Sequence, residues 1–89
     1  MFRVLPRPHP DVVSRRLDDE VVLVQLSTSQ IYSLNDTAGR AWELLSAGHD
    51  RNELERTLLD EFDVSADELR RELDQLFETL GRAGLLESS

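Results

Sequence analysis

Apolar residues change their spacing midway along this chain. Between residues 12 and 34 they fall at strand-like intervals, and from residue 38 onward they recur three and four apart. The first half therefore predicts strands and the second half helices. Val12, Val13, Arg15 and Leu17 form a first short strand, closed by the turn-like "LDDE". "VVLVQLS" follows, with Val22, Val24 and Leu26 alternating against Leu23, Gln25 and Ser27. The second of these sets turns polar towards its end, so the first is expected to face inward. "TSQ" offers a turn, and "IYSLN" gives a third strand with Tyr32 and Leu34 on one face and Ile31 and Ser33 on the other. Strands in direct succession suggest a small antiparallel meander.

Helical spacing begins immediately after this third strand. Asn35 or Asp36 can cap a first helix by accepting its orphan amide hydrogens. Ala38, Ala41, Trp42 and Leu45 share one stripe, Trp42 reads as core, and Gly48 ends the helix as a C-cap glycine would. "DRNE" at 50–53 is a capping-box pattern, followed by Leu54, Leu58 and Phe62. "SADE" at 65–68 is a second box and opens the longest helix, with Leu69, Leu73, Leu76 and Leu80 inward. Gly81 and Gly84 are expected to break it, with Leu85 and Leu86 folding back onto the core. All three prolines lie in residues 1–10, which read as an extended N-terminal arm ahead of a single domain over 11–87. Strands segregated from helices indicate an α+β domain, and a three-stranded antiparallel sheet followed by three helices is the layout of a winged helix-turn-helix.

Composition narrows the chemistry. A chain of 89 residues supports one domain with a modest core. It has no cysteine, which excludes disulfides, thiolate metal sites and a cysteine nucleophile. No apolar run reaches the length of a membrane span, so a cytoplasmic protein with no membrane role is expected. The net charge of −8 repels phosphate backbones. All 10 basic residues are arginine, a usage that GC-rich coding explains. His9 stands between prolines and His49 in an interhelical turn, at no metal-ligand spacing. No serine sits in a nucleophile elbow and no glycine-rich loop could cradle phosphate. No catalytic residue, metal or cofactor is expected. The acidic residues of the last helix alternate with arginines, as Glu68 and Glu72 do with Arg70 and Arg71, the pattern of a solvated helix face.

A binding surface remains. In a meander the third strand lies at a sheet edge, and no proline or charge separates Gln30 from Asn35. Such an edge either accepts an extended peptide as an added strand or is covered by the arm or the helices. With the leucine stripe inward, Arg70, Asp74 and Phe77 fall along one flank of the last helix. Phe77 there is either core or the apolar wall of a groove facing the third strand.

The segments "VVLVQLSTSQIYSLNDTAGRAWELL" and "FDVSADELRRELDQLFETLGRAGLL" resemble the PqqD family, named for the small peptide-binding protein of pyrroloquinoline quinone biosynthesis. The resemblance spans residues 10–86, and "SLN" followed by "WELL" is its most specific part. It implies the winged helix-turn-helix fold. It also implies a recognition element for ribosomally synthesised, post-translationally modified peptides, which binds a precursor's leader as a strand and presents the core to modifying enzymes. Carried to this chain, the strand role falls on Ile31, Tyr32, Ser33 and Leu34, and the helix role on Arg70, Leu73, Asp74 and Phe77. The N-terminal arm and the arginine usage favour the lasso peptide type, with a leader peptidase and a cyclase as partners. The alternatives are a PqqD-type chaperone for a radical S-adenosylmethionine enzyme and a winged-helix DNA-binding regulator. The acid-rich helices speak against nucleic acid.

Overall fold

The computed structural model describes residues 5–87; residues 1–4 of the expected arm, with 88 and 89, lie outside the described residues. Strands β1 (Val12–Leu17), β2 (Glu20–Gln25) and β3 (Gln30–Leu34) precede helices α1 (Asp36–Ser46), α2 (Arg51–Glu61) and α3 (Ala66–Arg82). The sheet is an antiparallel meander in the order β1-β2-β3, with Leu23 opposite Ser14 and Tyr32, and Val24 opposite Val13 and Ile31. Both hairpins need a left-handed residue, and Asp18 (φ 53°) and Ser29 (φ 60°) supply it.

Local chemistry sets the helix limits. Asn35 is the cap of α1, its side chain accepting from Ala38 N at 2.9 Å. Asp50 and Glu53 close a reciprocal capping box on α2, at 2.9 and 3.1 Å. Ser65 caps α3 by accepting from Glu68 N. Both α1 and α3 end in Schellman motifs. His49 N donates to Leu44 O and Gly48 N to Leu45 O, while Leu85 N donates to Leu80 O and Gly84 N to Gly81 O. Gly48 (φ 92°) and Gly84 (φ 74°) take the left-handed position. Gly81 does not break α3: with ordinary helical φ it stays inside the last turn, and the reversal waits for Gly84.

One face of the sheet meets the helices. Val21, Leu23 and Leu34 join Trp42, Leu45, Leu54, Leu58, Leu69, Leu73, Leu80 and Leu85 in a single core. The inward set of β2 is therefore Val21, Leu23 and Gln25, the reverse of the face that the alternation suggests. Gln25 tolerates burial because its amide donates to Gly84 O at 2.8 Å and its Oε1 accepts from the Ser27 hydroxyl. The polar residue that marked an outer face is an interior one with its partners supplied. Arg7–His9 run beside Leu85–Glu87, with His9 N donating to Leu85 O at 2.9 Å and Glu87 N to Arg7 O at 2.7 Å.

Candidate functional site

The phase of the sheet ladder determines which backbone groups face outward. Leu26 N donates to Asp11 O at 2.9 Å, so this facing pair belongs to the hydrogen-bonded set. Antiparallel pairs alternate between bonded and non-bonded. Val13–Val24 and Arg15–Val22 are then bonded, and Val21, Leu23 and Gln25 turn their backbones to β3. Gln30, Tyr32 and Leu34 answer them. The N–H and C=O of Ile31 and Ser33 therefore point away from the sheet, at an edge that no strand covers among the described residues. The paired Arg7–His9 segment lies with Leu85–Glu87, on the β1 side.

Side chains along β3 alternate as the strand requires. Ile31 is 69% exposed and Ser33 is exposed, its hydroxyl donating to Glu20 Oε2 at 2.9 Å. Tyr32 is half-buried on the helix-facing side, its hydroxyl donating to Gln30 Oε1 at 2.6 Å, and Leu34 is core. Where β3 runs into α1, a cleft of about 330 Å³ opens between the first turn of α1 and α3. Asn35, Ala38, Glu72, Leu73, Leu76 and Thr79 line it.

The residues expected on α3 divide between two sides of that helix. Leu73 is buried and its edge lines the cleft. Arg70, Asp74 and Phe77 occupy the flank turned to α2. Arg51 of α2 donates to Asp74 Oδ1 at 3.0 Å and to Arg70 O, and its guanidinium stands 5.6 Å from the Phe77 ring centre. Arg70 Nε donates to Glu55 at 3.2 Å. The structure thus brings Leu73 to the strand end and leaves Arg70, Asp74 and Phe77 as the α2–α3 seam. Glu72, Leu76 and Thr79 were missed. Their i, i+4, i+7 spacing marks a common flank, but the packing partner that selects it is not in the sequence.

Ion pairs brace the scaffold behind this edge. Arg16 of β1 grips Glu43 of α1 through two bonds of 2.9 and 2.8 Å, and Arg40 grips Glu61 of α2 at 2.9 and 3.0 Å. The Arg16 guanidinium holds Glu43 below the ordinary glutamate value, and Arg40 does the same to Glu61. Among the described residues no group of three or more His, Cys, Asp or Glu could hold a metal, and no helix is long and apolar enough to cross a membrane.

A family model described as coenzyme PQQ synthesis protein D (PqqD) matches residues 20–86. A solved structure of TbiB1 in complex with the TbiA(beta) leader peptide is similar at 31% identity and a TM-score of 0.85, over 93% of this chain and 96% of that one. A lasso peptide synthetase B1 complexed with its leader peptide has the same fold at 24% identity, with a TM-score of 0.82 over 92% and 96% of the two chains. No curated protein matches the sequence.

Proposed function

Because the chain belongs to the PqqD family, we propose that it is a non-catalytic leader-peptide carrier of lasso peptide biosynthesis. It captures the leader of a ribosomally made precursor as a strand beside β3 and presents it to a leader peptidase and a cyclase. The observation that carries this reading is the open β3 edge, with Ile31 and Ser33 facing outward next to the cleft at its end. The similarity to TbiB1, a protein solved with a leader peptide, supports it.

An added strand would bond the backbones of Ile31 and Ser33, which gives affinity and little sequence preference. Its alternate side chains would face the helices, and those near the strand end would enter the cleft against Leu73 and Leu76. Tyr32 and Leu34 shape the floor on the helix side. Arg70, Asp74 and Phe77 act by holding α3 against α2, which fixes the distance between the two walls. Ordering a disordered leader opposes binding, so dissociation constants on the order of nanomolar to micromolar are expected. The work is done in the cytoplasm and needs no cofactor.

The PqqD resemblance also admits a chaperone of a radical S-adenosylmethionine enzyme; a lasso peptide synthetase B1 shares this fold, and the lasso type is the one proposed. For DNA binding, α3 is the wrong sign: Asp67, Glu68, Glu72, Asp74 and Glu78 outnumber Arg70, Arg71 and Arg82. The test is fluorescence anisotropy of two labelled probes at physiological salt, the leader of the neighbouring precursor gene and a mixed-sequence DNA duplex. Saturable binding of the leader alone is expected. Binding of the duplex alone would overturn the carrier reading.

A further inference from the structure

The acidic residues of α3 do not all find partners. Among the described residues Asp67 pairs with Arg70, Asp74 with Arg51 and Glu78 with Arg82. Glu68 and Glu72 pair with none. Arg70 reaches Glu55 and Asp67 instead, and adjacent residues such as Arg71 and Glu72 do not face each other on a helix. The helix neighbours of Glu72, three and four positions away, are Glu68, Leu69, Gln75 and Leu76, and none is a cation. Glu68 and Glu72 are like charges one turn apart, an arrangement that by itself destabilises a helix. Glu72 also stands at the cleft beside the end of β3, where it is the sole charged side chain among the described lining residues. Leu69, Leu73 and Leu76 line the same cleft as an apolar floor, while Glu72, Gln75 and Thr79, all exposed, form its rim. Across it α1 contributes Thr37 and Ala38, and the charged residue of that first turn is another acid, Asp36.

We propose that Glu72 selects leaders carrying an arginine or lysine beside the apolar residue that fills the cleft. The proposal rests on the leader-carrier reading and names the charge that this site reads. Two successive helix-facing residues of an added strand stand about 7 Å apart, and Glu72 and Leu76 are one turn apart on α3, about 6 Å. One leader residue can therefore fill the floor while its neighbour two along reaches the rim. A long basic side chain lays its methylene stem along apolar surface and keeps its charged head in water. At the rim the Glu72 carboxylate meets that head, and the Gln75 carbonyl and Thr79 hydroxyl can accept its remaining protons. An acidic leader residue in the same place would meet an uncompensated carboxylate on a chain of net charge −8. The rim thus rejects as well as selects. Backbone pairing along β3 has little sequence preference, so this charge supplies discrimination that strand addition lacks.

The experiment is fluorescence anisotropy of the labelled leader of the neighbouring precursor gene, using wild type, Glu72→Gln, Glu72→Lys and Asp60→Lys. A second set of leaders replaces each arginine or lysine in turn with glutamate. Glu72 and Asp60 are both exposed, and Asp60 on α2 makes no ion pair among the described residues; thermal melts confirm folding. The expected result is leader affinity lowered about fivefold in Glu72→Gln and at least about tenfold in Glu72→Lys. Asp60→Lys, which changes net charge equally, should bind within about twofold of wild type. One leader substitution to glutamate should weaken wild type at least about tenfold and restore Glu72→Lys to within about threefold of the native pair. Normal leader binding by folded Glu72→Lys would overturn the proposal. So would an equal loss in Asp60→Lys, which assigns the effect to net charge, or the absence of any leader position whose reversal rescues Glu72→Lys. Failure of the leader-carrier reading looks different: wild type itself would bind no leader, and this proposal would fall with it.

Discussion

Replacing Ser33 with proline tests strand addition at a single backbone atom. Ser33 N–H points out of the sheet, so the substitution costs β3 no bond to β2. It removes the donor that a leader carbonyl would use. A lost bond at this exposed edge contributes about 0.5–1.5 kcal/mol, which weakens the leader roughly 2- to 13-fold, and the ring beside the incoming strand adds to that loss. Ser33→Ala controls for the exposed hydroxyl bond to Glu20 and should bind within about twofold, since a solvated bond of this kind is worth little. Tyr32→Pro gives the opposite signature. Its N–H belongs to the β2 ladder opposite Leu23, so this variant should lose stability first. Anisotropy of the labelled leader and a thermal melt on each protein separate the two effects. If Ser33→Pro and Ile31→Pro both melt near wild type and bind the leader normally, the peptide does not add to this edge.

Three further outcomes are expected. Leu76→Glu places a charge in the cleft at a half-buried position and should weaken the leader about tenfold or more while the protein still folds, read by the same anisotropy titration. Gly39→Ala would put a Cβ 2.6 Å from Val21 Cγ2; overpacking of about 1–3 kcal/mol outweighs a helix-propensity gain of about 1 kcal/mol, giving a net loss of up to about 2 kcal/mol by urea unfolding. Glu43 and Glu61 are held below the ordinary value of 4.5 by arginines, so their contribution is present above that pH and lost as pH falls through the lowered value. Urea midpoints measured from pH 6 to 3 should therefore decline more steeply in wild type than in Arg16→Leu, the difference shrinking in high salt.

The parts of this fold that were legible in the sequence are those governed by neighbours in the chain. Asn35, Asp50 and Ser65 cap their own helices, and each needs only the next three residues to do so. Gly84 ends α3 for an equally local reason. The inward face of β2 is not legible locally, because both faces are apolar and the polar Gln25 lies on the buried one. Its partner is Gly84 O, 59 residues away, and no local pattern reveals such a bond. The site shows the same limit. The edge position of β3 follows from strand order alone. On α3 the leucine stripe gives the buried line, but which flank meets α2 depends on Arg51 reaching Asp74 and Phe77. That contact places Arg70, Asp74 and Phe77 on the α2 side, apart from Leu73 and the other residues that line the cleft.

The pairing of Arg7–His9 with Leu85–Glu87 brings the two ends of the folded chain side by side, next to β1 and two strands from β3. A domain with adjoining ends can be spliced into another polypeptide, or joined to one through either end, without being stretched. Covalent fusion to a processing enzyme would thus leave the capturing edge unobstructed. It would also turn the meeting of enzyme and cargo into an intramolecular event, at an effective concentration set by the tether rather than by expression level.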